Sequence, residues 1–285
     1  MITGTTQLTG LIGSPVSHSI SPMMHNESFQ LLGLDYVYLC FDIKEQEMEE
    51  AVKALKLLNV KGFNCTMPAK IRMYELADEL SPAASMMGAV NTVVNDNGRF
   101  IGHNTDGVGY MSAVKEAGYD IIGKKMTLLG AGGAATAVAV QAALDGVSEL
   151  AIFNRRSRSW NRGQALVDSI NAKTNCKASL YDLEDETELK KQLSDSTILT
   201  NGTSVGMAPN TDLCPINNPN LLHEGLIVSD VIYNPRETLL MKEASARGCH
   251  TFNGLYMLLY QGAEAFKLWT GKEMPVDIIK GKYFS

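Results

Sequence analysis

The sequence predicts an α/β protein of two domains, the second built on a doubly wound parallel sheet. Three observations carry this. Strand-like and helix-like stretches alternate from residue 8 almost to the end, and strands that alternate with helices pair in parallel through right-handed crossovers. A glycine-rich turn, "LLGAGGAATA" (128–137), joins a strand directly to a helix. The 285 residues also suffice for two domains of ordinary size, each with its own core.

Taken in order, "LTGLIG" (8–13) and "YVYLCFDI" (36–43) read as strands from their β-branched and aromatic content. Between them "SPMMHNESFQLLG" reads as a helix, with Ser21 as its cap and Pro22 at the first helical position, where the missing N–H costs nothing. "GFNCTM" (62–67) is a third strand and "PAKIRMYELAD" a short helix. "AVNTVVND" and "RFIGHN" flank "DNG" and form a hairpin, because Asn-Gly supplies the positive φ of its turn. "GVGYMSAVKEAG" is a helix, and from there the alternation becomes regular. "KKMTLLGAG", "ELAIFNR", "ASLYDL", "TILTNGT" and "LIVSDVIY" are strands. "GAATAVAVQAALDG", "SWNRGQALVDSINAK" and "DETELKKQLSD" are helices, the first ending at Gly146. The final "GLYMLLYQGAEAFKLWTG" is a helix too apolar for a free surface and is expected to pack back on the first domain. With no repeat or low-complexity linker, the boundary must be short, and "NTDGVG" (104–109) is its best candidate.

Composition excludes several functions. The 45% hydrophobic and 20% charged content is that of an ordinary globular chain. A net charge of −6 argues against a nucleic-acid surface. Neither a signal-peptide pattern nor an 18-residue apolar run is present, so no membrane partner is expected. The five cysteines are odd in number and lack C-x-x-C spacing, which predicts reduced thiols and a cytoplasmic protein. The five histidines form no H-E-x-x-H pattern, and no metal is expected. Partners are expected to be small molecules; a homodimer stays open, because nothing in the sequence reports oligomeric state.

Gly130, Gly132 and Ala135 stand in G-x-G-x-x-A register after a strand and at the start of a helix. Gly130 permits the tight turn, Gly132 lets backbone approach a pyrophosphate, and a small third residue allows close helix–strand packing. The context predicts a Rossmann-like dinucleotide site in which Ala131, Gly133 and Ala134 complete the loop. NAD-selective sites end the next strand with an acid that accepts from the ribose 2′-OH. Here Asn154, Arg155, Arg156, Ser157 and Arg158 stand instead. Guanidiniums pair with a 2′-phosphate, and cations at a helix N-terminus oppose its dipole unless an anion joins them, so NADP is favoured, with NAD possible. The bland alternative is that these arginines are merely solvated.

The stretch "NCTMPAK" (64–70) sets a single lysine, Lys70, after a strand end with no acid beside it. Alone, it reads equally as a solvated lysine. Together with "SHSISP" (17–22), "GAVNT" (88–92), "GHNTDGVG" (102–109), "NGTSVGM" (201–207), "DVIYNP" (230–235) and "NGLYMLLYQGA" (253–263), it resembles the shikimate dehydrogenase family over essentially the whole chain. "NRRS" and "TLLGAGGAATA" also resemble its quinate/shikimate branch.

The resemblance implies an NADP-linked reduction of 3-dehydroshikimate to shikimate, with Lys70 and Asp106 as the acid–base pair. It implies a substrate domain of residues 1–105 plus 254–285 and a dinucleotide domain of 106–253. Ser19 and Ser21 would hold the substrate carboxylate with Tyr233 near, and Asn64, Thr66, Asn91 and Gln261 would read the ring hydroxyls. Thr105 lies where a quinate hydroxyl would be admitted or refused. Thr203, Ser204, Val231, Tyr233, Gly254 and Met257 would join the cofactor site. Two alternatives stand beside the roles so implied, since "SHSISP" and "TDG" also suit helix starts. Quinate is the competing substrate. A catalytically idle sensor of NADP or a shikimate-like acid is the competing class, and loss of the Lys70/Asp106 pair would be its signature.

Overall fold

Period-2 and period-3.6 stretches alternate in the sequence, and a computed structural model, describing residues 2–157 and 159–284, shows the two sheets they build. In the first part of the chain the elements are β1 (Gln7–Gly13), α1 (Ser21–Leu31), β2 (Tyr36–Asp42), α2 (Met48–Leu57), β3 (Gly62–Cys65), α3 (Ala69–Leu76), β4 (Glu79–Leu80), α4 (Pro82–Met87), β5 (Thr92–Asp96) and β6 (Arg99–His103). The second part contributes α5 (Asp106–Glu116), β7 (Lys125–Leu129), α6 (Gly133–Asp145), β8 (Glu149–Asn154), α7 (Trp160–Lys173), β9 (Lys177–Asp182), α8 (Glu186–Leu193), β10 (Ile198–Asn201), β11 (Ile227–Asp230), α9 (Leu239–Ser245) and β12 (His250–Phe252). Helices α10 (Leu255–Thr270) and α11 (Val276–Tyr283) close the chain. Helices α2, α4, α9 and α11 and strands β4 and β12 add to the elements expected from the sequence. Several of these are too short for a periodic pattern to register.

The chain divides into two compact units, one of residues up to Thr105 with those from Leu259 on, the other Asp106–Leu258. The second crossing lies inside α10, whereas the motif-based division sets it at residue 254.

The first unit holds a six-stranded sheet in the order β2-β1-β3-β5-β6-β4. It is mixed, not wholly parallel: β3 pairs antiparallel with β5, and β5 with β6. The β5–β6 turn needs left-handed backbone, and Asn97 (φ 53°) and Gly98 (φ 90°) supply it. Strand alternation sorts β3 by face. Phe63 and Cys65 enter a core with Ile12, Val93 and Phe100, while Asn64 turns to the polar side. Burial pushes the Cys65 thiol up and leaves it protonated. The Trp269 indole N–H of α10 donates to the Val93 carbonyl at 2.9 Å, which fixes the end of that helix on this sheet.

Helix α1 starts differently from expectation. Ile20 occupies the cap position and Ser21 is the first helical residue, with no side-chain capping bond. The Ser19 hydroxyl accepts from the Ser21 amide at 3.2 Å and takes over part of that task. Farther along α1, His25 is fully buried, stacked on Tyr38 at 4.5 Å and packed beside Phe266 and Trp269. Both its ring nitrogens lack a partner, and burial pushes its pKa down to about 3. The folded state therefore holds the ring neutral, whereas the unfolded chain takes up a proton below its ordinary value of 6.5. Stability from this residue is complete above that value and is lost as pH falls toward 3, by about 2 kcal/mol at pH 5. His25→Phe should remove that part of the acid dependence. Equal shifts in urea midpoint between pH 8 and pH 5 for both proteins would exclude His25 as its source.

The second unit holds a parallel six-stranded sheet in the order β12-β11-β10-β7-β8-β9. Numbered from β7, this is 6-5-4-1-2-3, the doubly wound order that reverses beside its first strand. Helix α6 is alanine-rich and buries eight of its 13 residues, since small side chains let it lie close to neighbouring elements. Among the described residues no helix is long and apolar enough to cross a membrane.

Candidate functional site

The reversal of strand order leaves a crevice at the carboxyl ends of β7 and β10, and this unit has a cavity of about 650 Å³ there. Gly130, Ala131, Gly132, Gly133 and Ala134 line it, with Asn154, Thr203, Ser204, Val231 and Tyr233. Gly130 has φ 98°, and a side chain there would meet Thr203 Cγ2 at 2.8 Å, so both conformation and space require glycine. At Gly132 and Gly133 an added Cβ would meet no protein atom within 4 Å; the space above the turn is open to a ligand. Helix α6 begins at Gly133 with no acid in its first turn, so an anion at its first amides would meet no like charge from that turn. Ala135 is buried against Gly202, where a Cβ would come within 2.7 Å of the alanine methyl. The open turn and helix N-terminus fit a pyrophosphate.

The lining also includes Ser159, Gly202, Met207, Ala208, Ile232 and Asn234, which the sequence reading did not name. The Ser159 hydroxyl accepts from Asn154 Nδ2 at 3.1 Å. Gly202 carries a signal in hindsight, since it follows directly on the strand β10 that flanks β7. Arg155, Arg156 and Ser157 do not line the cavity but stand exposed in the loop after β8. Arg156 is turned aside: its Nε donates to Asp182 Oδ2 at 2.8 Å and its guanidinium lies 4.6 Å over the Trp160 ring. Arg158 lies outside the described residues. Gly254 and Met257 are buried off the lining, and Gly254 abuts Val231 so tightly that a Cβ would overlap its carbonyl oxygen at 2.0 Å.

Two side chains anchor the cavity wall from below. Asp230 is 1% exposed, and burial pushes its carboxyl up to about 6. It accepts from Asn201 Nδ2 (3.1 Å to each oxygen), the Ile232 amide (3.0 Å) and Thr238 Oγ1 (2.9 Å). Asn201 Oδ1 in turn accepts from the Thr203 amide and hydroxyl at 3.0 and 2.7 Å.

The first unit gathers a second polar group of residues. Asn64 donates to Thr92 Oγ1 at 2.9 Å and accepts from the Tyr38 hydroxyl at 2.8 Å. Asn91 Oδ1 accepts from the Thr105 backbone amide at 2.7 Å, and Asn91 Nδ2 donates to Thr105 Oγ1 at 3.1 Å. Asn64, Asn91, Thr92 and Thr105 thus form one buried, hydrogen-bonded cluster. Thr92 was missed by the sequence reading, though it closes the quoted "GAVNT". Thr66 follows β3, half-buried, its amide donating to the Ile12 carbonyl at 3.0 Å. Lys70 is the second residue of α3, half-buried, and its carbonyl accepts from the Val90 amide at 3.0 Å. Ser19 is half-buried and Ser21 buried, while Gln261 lies half-buried on α10. Asp106 opens α5 in the second unit, immediately after the Thr105 that Asn91 grips. A carboxylate is favoured at that end of a helix.

A reversing parallel sheet with a glycine turn at its first strand defines the dinucleotide-binding, doubly wound class of protein. Two family profiles match the chain: "Shikimate dehydrogenase substrate binding domain" at residues 11–93 and "Shikimate 5'-dehydrogenase C-terminal domain" at 254–281. A shikimate dehydrogenase (NADP(+)) of Listeria innocua is 54% identical over 279 residues, 98% of this chain and 96% of the relative. A quinate/shikimate dehydrogenase of Escherichia coli is 43% identical over 98% of this chain and 97% of its own. The crystal structure of shikimate 5-dehydrogenase from Listeria monocytogenes, in complex with shikimate and NAD, superposes with a TM-score of 0.96 at 53% identity, covering 99% of this chain and 97% of that one. The chain belongs to the shikimate dehydrogenase family.

Proposed function

We propose that this protein catalyses the reversible NADP-dependent reduction of 3-dehydroshikimate to shikimate. The observation that carries the reading is its 54% identity, across 98% of its length, to a chain named shikimate dehydrogenase (NADP(+)). The open glycine turn and the anion-favouring start of α6 support it. The five free thiols fit a reducing compartment such as the cytoplasm.

NADP supplies or accepts the hydride when bound. The protein's task is the proton and the positioning. As hydride reaches the ring carbonyl carbon, negative charge develops on oxygen, and the Lys70 ammonium donates the proton that oxygen needs. In the reverse direction the neutral amine takes the hydroxyl proton. Asp106 is proposed as the carboxylate that keeps this lysine charged until transfer. Asn64, Asn91, Thr66 and Gln261 are proposed to read the ring hydroxyls, since a polar group buried without its partner costs about 1–3 kcal/mol. The residues up to Thr105 would then be the substrate domain and Asp106–Leu258 the dinucleotide domain.

Steady-state kcat/KM for shikimate and quinate, each with NADP and NAD, tests the reading. Shikimate with NADP should rank first, and turnover of neither acid would defeat it. The quinate/shikimate name of the 43% identical relative makes quinate the second substrate to measure.

The substrate carboxylate is proposed to rest on the Ser19 and Ser21 hydroxyls. Removing either should raise KM for shikimate by about tenfold or more, the worth of a hydrogen bond to a charged group. Because that charge persists through the reaction, kcat should hold. Ser21 makes no capping bond in α1, but its hydroxyl is hydrogen-bonded to that of the buried Tyr38, so Ser21→Ala should also cost about 1 kcal/mol of stability. A lowered melting temperature with an unaltered KM would instead return Ser21 to a purely structural role.

A further inference from the structure

We infer that Asp230 is a positioning residue for the cofactor, its buried carboxylate tying together the two loops that wall the nucleotide cavity. The inference rests on reading that cavity as the NADP site. Asn201 and Asp230 are register partners at the ends of the parallel strands β10 and β11, so their side chains leave the sheet side by side. From there the bonds run outward in three directions. Through Asn201, the carboxylate reaches Thr203, whose amide and hydroxyl both donate to Asn201 Oδ1. Directly, it holds the Ile232 amide in the loop after β11. At Oδ2 it takes the Thr238 hydroxyl, whose oxygen also caps α9 through the Met241 amide. Thr203 and Ile232 both line the cavity, one on each loop.

The donors to Asp230 are a carboxamide, a backbone amide and a hydroxyl, none of them charged. Burying a carboxylate among neutral donors is a poor way to stabilise a fold, because an apolar side chain avoids the desolvation. It is a good way to fix geometry, since an acceptor-only group takes three convergent donors without conflict. The result passes to the glycine turn as well: Thr203 Cγ2 stands where a side chain on Gly130 would be, so the Thr203 rotamer and the turn fit as one unit. Asp230 itself is absent from the cavity lining and acts through these neighbours.

Asp230→Asn keeps the shape but points an N–H₂ at one of the donors, so one arm of the tie must break. The Kd for NADPH, followed by its fluorescence, should rise about tenfold or more. KM for shikimate at saturating NADPH should stay within about twofold, and so should kcat. Thr238→Ala cuts a single arm and should raise the NADPH Kd by a smaller factor. Thr238→Ser keeps the hydroxyl and should restore it. If Asp230→Asn does not fold, the Thr238 pair decides alone. An unchanged NADPH Kd in Asp230→Asn, or in Thr238→Ala where only that pair can be made, overturns the inference. So does an equal rise in the NADPH Kd and the shikimate KM, or a Thr238→Ser that behaves like Thr238→Ala. A wild-type protein that binds NADPH while the variants bind it equally well leaves the proposed function intact and removes only Asp230. A wild-type protein that binds no NADPH removes both.

Discussion

Lys70→Ala is expected to lower kcat by roughly 10²–10⁴, the usual worth of a positioned acid or base. Fold and substrate affinity should survive. Lys70 is half-buried at the start of α3, where the helix dipole favours an anion over a cation. That amine is the proton donor proposed for the reaction. The Lys70 side chain is absent from the core cluster of this unit, whereas Ala69 and Met73 on the same helix belong to it. Truncation should therefore leave the apolar core intact, and the variant should still fold. Steady-state kinetics in both directions, with a thermal melt on the same sample, checks this. A variant that keeps a third of wild-type kcat would take Lys70 out of the chemistry.

The second large effect concerns the cofactor. NADP should be preferred over NAD by kcat/KM, and added salt should shrink the preference, because the loop after β8 is exposed. Ser157→Asp should move the ratio toward NAD by about a hundredfold, combining like-charge repulsion of the 2′-phosphate with an acceptor for a free 2′-OH. The two described arginines should differ. Arg156 is held by Asp182 and stacked on Trp160, whereas Arg155 is exposed and not so engaged. Arg155→Ala should therefore cost more NADP preference than Arg156→Ala. Equal kcat/KM for the two cofactors at low salt would defeat the phosphate-pairing argument.

Much of the second unit was legible because its signals are local. A β-branched run, a glycine turn and an alanine-rich helix lie within about twenty residues, and strand alternation with helices implies parallel pairing without knowledge of the partners. Gly130, Gly132 and Ala135 could be assigned by spacing, since each answers a steric demand of the turn itself. The first unit was less legible. Its sheet is mixed because β5 and β6 form a hairpin inside an otherwise alternating run, and no residue pattern says which earlier strand receives that hairpin. Helices α4 and α9 span six and seven residues, too few turns for a periodic stripe.

By itself, then, the sequence determined the α/β class, the doubly wound second unit, the glycine turn and the polar motifs around Asn64, Lys70, Asn91 and Asp106, because each is written within a few consecutive residues. Only the tertiary structure decided which polar groups meet. Arg156 finds Asp182 because β8 and β9 pair with Asn154 opposite Asp182, a register that neither segment contains alone. Asn64 joins Thr92 across the β3–β5 pairing, and His25 is sealed against Tyr38 and Trp269 from opposite ends of the chain. Asp230 reads in sequence as one more acid after a strand. Its burial, and the three donors that converge on it, exist only once β10 and β11 lie side by side. Long-range pairing sets those contacts, and it depends on the energy of the assembled sheet, which no short stretch of residues records.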